Sequence, residues 1–307
     1  MARRRKGRQV DGILILDKPT GRTSNGVMVA VRAIYNAQKA GHTGALDPLA
    51  SGVLPICLGE ATKFSQYLLD ADKAYLSGVR FGQRTDTLDA EGEVVEEKPC
   101  GELTAAQVEA ALVDFRGDIL QVPPMYSALK RNGRPLYELA RAGIEVERPA
   151  RPAHISRFDM LEFNASEAAS GLFDVACSKG TYIRSLTDDL GQALGVGAHI
   201  HSLRRTQAGP FNLEQSYTLD HIQALRDQQD FDGLDALLLP IESALGHLPS
   251  ITLPETTAYY LLQGQAVQAN GLPESGQIVL FDEQQQFLGV GEVQEDGRLK
   301  PKRLIAH

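Results

Sequence analysis

Strand-like and helix-like segments interleave along this 307-residue chain without the even spacing of βαβ units, and that irregularity decides the fold class. "GILIL" reads as a buried strand over Ile13 to Leu16, closed by a turn at Lys18 and Pro19. Thr23 or Ser24 then caps a helix on which Val27, Val31 and Ile34 share a face. A short apolar segment, "GVLPICLG", precedes a helix over "ATKFSQYLLD". Tyr75, Ser77, Val79 and Phe81 alternate as a half-buried strand requires. "TAAQVEAALVDF" begins an amphipathic helix at a Thr cap, "FDVACSKG" is a strand, and "TYIRSLTDDLGQALG" is a helix with Ile183, Leu186, Leu190 and Leu194 inward. "GAHIHSLRRTQAG" adds a strand. The expected class is α+β.

The chain is long enough for one large unit and a small one. Composition shifts toward Pro, Ser and Thr near "HLPSITLPET", which sets an expected boundary between residues 1–248 and 249–307. The second part holds a short helix, "TTAYYLLQGQ", and two Gly-punctuated strands, "GQIVLFDE" and "QFLGVGEVQ". Within the first part, residues 122–151 combine strand-like ends, a proline break and a short helix, the pattern of an insertion or flap.

Several chemistries lack support. There is no GxGxxG after a strand, no GxxxxGK[ST] and no G-x-S-x-G. Three scattered cysteines, Cys57, Cys100 and Cys177, give neither a disulfide framework nor a CxxC metal pair. His199 and His201 would share a strand face, but no third ligand accompanies them. No metal and no cofactor is expected. The apolar run after the basic N-terminus is too short for a signal peptide or a membrane span, so a cytoplasmic protein with no membrane contact is expected. A net charge of -8 argues against non-specific coating of nucleic acid, although basic residues cluster at Arg3–Arg8, Ala128–Arg134, Arg148–Arg151 and Leu203–Arg205. Each cluster taken singly is as well read as solvated surface.

One loop stands apart. "GHTGALDPLASG", Gly41 to Gly52, carries a carboxylate, Asp47, directly before Pro48, which biases Asp47 away from the α conformation. The flanking glycines permit sharp turns and close approach by another backbone. Taken alone, Asp-Pro reads equally as the start of a turn between two elements. Asp86, Asp89 and Asp188 are all available as a second carboxylate, and spacing selects none of them. A lone aspartate can serve as nucleophile or base if a charge partner orients it. Arg184 offers one: it sits in the first turn of its helix, where the dipole disfavours a cation and an anionic neighbour would relieve it. Tyr182 belongs to the same element.

The loop and its continuation, "GHTGALDPLASGVLPICLGEATKFSQYL", resemble the signature of the bacterial tRNA pseudouridine synthase B family. Further matches follow in the family's order: "DKPTGRTS", "KAY", "RTDTLDAEG", "VPPMYSALKRNGRPLYELAR", "SKGTYIRSL" and "GAHIHSLRR". The resemblance implies a mixed, largely antiparallel sheet flanked by helices, with the 249–307 segment as a small PUA-like barrel that binds RNA. It implies isomerisation of uridine 55 in the tRNA T-loop, with Asp47 as nucleophile, Tyr75 stacking on the base and Arg184 ordering the carboxylate. His42, Tyr182 and Leu203 resemble substrate contacts, while Lys18, Lys130 and Arg131 fit phosphate contacts. The partner is the T-arm of tRNA, with no protein partner and a monomeric state expected. Two other classes remain: a tRNA-binding folding factor whose catalysis is secondary, and a non-catalytic RNA-binding module.

Overall fold

In a computed structural model, residues 7–306 are described; most of the basic N-terminal cluster, Arg3 to Lys6, lies outside them. A ten-stranded sheet forms the frame. Its main strands are β1 (Gly12–Lys18), β2 (Ser51–Leu58), β3 (Lys73–Phe81), β4 (Gly117–Gln121), β5 (Arg151–Asn164), β6 (Ser170–Cys177) and β7 (Ala198–Ala208). From one edge the order runs Tyr217–Thr218, β1, β2, β7, β3, β6, β5, β4. β1 and Tyr217–Thr218 run parallel, as do β2 and β7, whereas the other neighbours along this path are antiparallel. The α+β class and the largely antiparallel, mixed sheet are therefore as expected.

Local sequence explains most elements. Helix α1 (Ser24–Ile34) is capped by Thr23, whose hydroxyl accepts from the Gly26 amide, and Val27, Val31 and Ile34 are buried. Helix α2 (Ala105–Leu112) starts with a full capping box between Thr104 and Gln107. Helix α3 (Ile183–Ala193) buries Ile183, Leu186 and Leu190 against the sheet. Two departures have physical causes. The expected helix over "ATKFSQYLLD" is split into a 3-10 turn, Gly59–Lys63, and a short α-helix, Ser65–Leu69. Phe64 breaks it with φ -106 and ψ 3, and its ring lies 5.3 Å from Phe287 of the C-terminal sheet. The strand β5 was hidden in the sequence because irregularities between Ile155 and Arg157, and between Met160 and Glu162, interrupt the alternation.

The C-terminal segment forms a four-stranded sheet of β8 (Ser250–Thr252), β9 (Gly276–Phe281), β10 (Phe287–Val293) and β11 (Leu299–Leu304), consistent with a PUA-like unit. β11 is a third Gly-flanked strand beyond the two read from sequence. A bridge between Val267 and Leu299 extends that edge. Val279, Phe287 and Val290 join a single apolar cluster with Ile13 and Val53 of the larger sheet and with Phe64 and Leu68 of the helical segment that follows β2. Lys63 donates to the Leu304 carbonyl at 3.0 Å, and Glu60 accepts from the Ala306 amide at 2.7 Å.

Gly52 opens β2 with φ +102, in the left-handed region, and a Cβ there would meet the Arg205 carbonyl oxygen at 2.1 Å. Gly52→Ala is expected to lower stability by about 2–3 kcal/mol, since it strains the backbone and separates β2 from β7. Urea unfolding followed by circular dichroism measures this; an unchanged midpoint would show that the pairing tolerates a side chain.

Candidate active site

The Asp47 loop is held from below and from both ends. Ser24, in the first turn of α1, bonds the backbone of Leu46 twice: its hydroxyl accepts from the Leu46 amide at 2.7 Å and donates to the Leu46 carbonyl at 3.0 Å. The Gly21 amide donates to the Pro48 carbonyl at 2.8 Å, and Ala50 closes a turn onto Asp47 at 3.1 Å. Lys18 is fully buried, and its ammonium donates to the carbonyls of Pro19, Pro48 and Ala50 at 2.9, 3.4 and 2.6 Å. The expectation of a phosphate contact is corrected here: a side chain sealed under the loop has its donors committed to backbone oxygens. Burial pushes the Lys18 amine down to about 8.

Arg184 meets this loop from α3. Its Nε lies 2.9 Å from Asp47 Oδ2, and its Nη1 lies 3.6 Å from Asp89 Oδ2. Nη1 also donates to the Thr87 carbonyl at 3.0 Å and Nη2 to the Tyr126 carbonyl at 2.8 Å. The guanidinium side chain is 7% exposed, whereas Asp47 is 43% exposed. One partner is sealed and the other is presented. Burial raises the Asp47 carboxyl above its ordinary value; Arg184 opposes this and Asp89 adds to it. Of the three aspartates available in the sequence, Asp89 is the one brought to Arg184. Asp188 instead binds Arg84 through both oxygens, at 2.6 and 3.0 Å. Asp89 is fixed in turn by the Thr87 hydroxyl at 2.7 Å and the Glu91 amide at 3.0 Å.

The other expected residues surround this pair. Tyr75 on β3 and Leu203 on β7 are each 8% exposed and share an apolar cluster with Leu46, Ala50 and Ile183. Burial raises the Tyr75 phenol above its ordinary value. Tyr182 precedes α3, where buried Gln121 clamps it by accepting from its amide at 2.7 Å and donating to its carbonyl at 3.0 Å. His42 ends the short strand Ala40–His42, paired with Ile56 of β2. Its Nδ1 is buried with no hydrogen-bond partner among the described residues, and burial followed by Arg205 lowers its pKa. Lys130 is different: it lies exposed on the hairpin Lys130–Arg131/Arg134–Pro135, within residues 122–151 and away from the core. Those residues also carry Tyr126, whose hydroxyl donates to Asp86 Oδ2 at 3.3 Å.

Ser24, Asp89, Gln121 and Arg205 were not named as site residues from sequence. Ser24 and Asp89 stood inside quoted motifs, "DKPTGRTS" and "RTDTLDAEG", where a cap and an unassigned carboxylate were the available signals. Among the described residues no group of three or more His, Cys, Asp or Glu side chains is gathered as a metal would require. The arrangement is a presented carboxylate over an apolar floor, suited to covalent attack on a ligand whose flat ring lies against Tyr75 and Leu203.

Residues 32–183 match the family described as TruB family pseudouridylate synthase (N terminal domain). Residues 184–246 match the tRNA pseudouridylate synthase B C-terminal domain, and residues 249–305 match Pseudouridine synthase II TruB, C-terminal. The chain is 57% identical over 302 residues to tRNA pseudouridine synthase B of Stutzerimonas stutzeri (strain A1501), covering 98% of each. It is 52% identical to the protein of the same name from Aeromonas salmonicida (strain A449), covering 100% of this chain and 98% of the other. A chain in the crystal structure of a Cbf5-Nop10-Gar1 complex superposes with a TM-score of 0.72 at 28% identity, over 96% of this chain and 84% of that one.

Because the folded-state Asp47 carboxyl titrates above its unfolded value, the folded protein binds more protons than the unfolded chain between those two values. Stability therefore falls as pH rises through that window, and ionised Asp47 is a net cost at neutral pH. Asp47→Asn is expected to be at least as stable as the parent at pH 7, with the advantage lost as pH falls toward the ordinary carboxyl value. Paired thermal melts across pH 3–8 measure this; a variant markedly less stable at pH 7 would contradict the sign.

Proposed function

The chain belongs to the TruB family of pseudouridylate synthases, and from that premise we propose that it isomerises uridine 55 in the T-loop of tRNA to pseudouridine, with Asp47 as the nucleophile. The observation that carries this reading is the ion pair in which a sealed Arg184 holds a presented Asp47 at 2.9 Å. A uridine inside a folded loop must leave its stack before its glycosidic bond can be reached. Tyr75 supplies the surface against which the extruded base lies, with Leu203 beside it. Asp47 attacks the nucleotide, the bond between N1 and C1′ breaks, and the uracil turns within the pocket. A bond from C5 to C1′ then forms as the bond to Asp47 breaks, the proton on C5 departs to solvent, and N1 takes up one proton in its place. Nothing is oxidised and no water is consumed, so the chemistry needs no redox partner.

His42 and Tyr182 line the approach to the carboxylate, and Lys130 contributes a phosphate contact from the 122–151 flap. Residues 249–307 act as an RNA-binding unit that lengthens the grip on tRNA. The protein works as a monomer in the cytoplasm. Among the described residues no helix is long and apolar enough to cross a membrane.

A T-arm stem-loop carrying uridine tritiated at C5 tests the reaction. The protein is expected to release tritium to water, while Asp47→Asn releases none. RNA binding without release by the parent protein would sink the enzyme reading and favour a folding factor. Arg184→Ala is expected to slow single-turnover release by at least about 10³-fold while RNA affinity stays within a few-fold. A large affinity loss with normal chemistry would contradict its orienting role. Lys130→Gln is expected to weaken binding evenly across sequences and lower the salt slope by about one; an unchanged slope would remove it from the phosphate contacts.

A further inference from the structure

Strand β7 delivers three consecutive side chains with three different fates. Leu203 joins the apolar floor, and Arg204 turns outward to bind Asp17 through both nitrogens, at 3.1 and 2.7 Å. Arg205 turns inward and is 1% exposed. Among the described residues it forms no ion pair with a carboxylate, so a whole positive charge is buried beside the site without an anion to balance it. Burying such a charge is costly, and an apolar side chain would fill a core strand position at less cost.

The groups that Arg205 does touch are all parts of the site. Its Nε donates to the Val53 carbonyl at 2.7 Å, and its Nη2 donates to the Gly44 carbonyl at 3.1 Å. Gly44 lies in the loop between His42 and Asp47. Across the sheet, Arg205 stands directly opposite Tyr75 in the pairing of β7 with β3, which places their side chains on one face as near neighbours. The guanidinium is near enough to the Tyr75 phenol to favour its ionised form, against the burial that raises its pKa. The other charged or titratable groups facing this spot are Lys18, His42 and Lys73, with Asp47 and Cys177 beyond Tyr75.

We propose that Arg205 is a positioning residue for the isomerisation: bound to the Val53 and Gly44 carbonyls and facing Tyr75 across the sheet, it keeps the Gly44 end of the nucleophile loop and the Tyr75 ring in one fixed relation. The inference rests on the reading of Tyr75 as the residue against the uracil. It gives the buried charge a use. The same side chain sets the distance between the strand that supports the base and the loop that attacks the sugar.

The test reads Tyr75 directly in the free, full-length protein, so it does not depend on turnover. Tyrosines are replaced by 3-fluorotyrosine, the Tyr75 fluorine signal is assigned by its loss in Tyr75→Phe, and its titration is followed by NMR. In Arg205→Gln the titration is expected to move up by at least about one pH unit, because the cation that favours the phenolate is gone. Single-turnover tritium release should slow by about tenfold or more while RNA affinity holds within about threefold. An unmoved Tyr75 titration in a folded Arg205→Gln protein overturns the proposal. Should that variant not fold, Arg205→Lys keeps the charge but cannot span Val53, Gly44 and Tyr75 together. It is expected to bind RNA normally and turn over about tenfold more slowly, and a parental rate overturns the proposal. Failure of the parent protein to release tritium, with Tyr75 still responding to Arg205, would count against the proposed reaction and leave the coupling intact.

Discussion

Arg184, on α3, binds three other stretches of the chain at once: the 41–52 loop through Asp47, the 84–92 turn through Asp89 and the Thr87 carbonyl, and the 122–151 segment through the Tyr126 carbonyl. A planar fork with five donors can satisfy such a set in fixed geometry, where an ammonium could not. Because the guanidinium is sealed, the two carboxylates beside it are its counter-charge. The site is therefore an electrostatic balance as much as a shape. Burial holds the Asp47 carboxyl above its ordinary value, Arg184 draws it back down, and Asp89 pushes it up again.

Buried lysines perform a second, quieter task. Lys18 gathers three backbone carbonyls beneath the loop, and Lys73 donates to the carbonyls of Leu68, Leu69 and Ala71 just before β3. Both are driven down to about 8 by burial. Loops whose carbonyls would otherwise point into the protein unsatisfied are held this way by single flexible donors. Ser24 does the same at shorter range, so α1 and the loop move as one piece.

Much of this was legible beforehand. Periodicity placed β1, β3, β6, β7 and the three numbered helices, because each buries one clear face. Pro48 marked Asp47 as a held residue, and the awkward place of Arg184 in the first turn of α3 pointed to an anion that is present at 2.9 Å. What stayed hidden depended on tertiary neighbours. Nothing in the run "LRR" separates Arg204, which pairs with Asp17 near the surface, from Arg205, which is buried; only the alternation of β7 against β3 does so. Lys18 was read as a phosphate contact, yet the strand direction turns it under the loop, where backbone carbonyls take its donors. Asp89 could not be chosen over Asp86 or Asp188 until the 84–92 turn was folded, with Leu88 in the left-handed region at φ 65.

Phe64 interrupts what would have been one continuous helix in order to reach Phe287, and Phe287 packs in turn on Phe281 at 6.1 Å. That aromatic chain makes the terminal sheet part of the same cooperative unit as the catalytic sheet. Unfolding the terminal sheet would bare Phe64 and Leu68 on the segment that connects β2, which follows the Asp47 loop, to β3, which carries Tyr75. Order in the terminal sheet and order around Asp47 are thus drawn from one shared reserve of buried apolar surface.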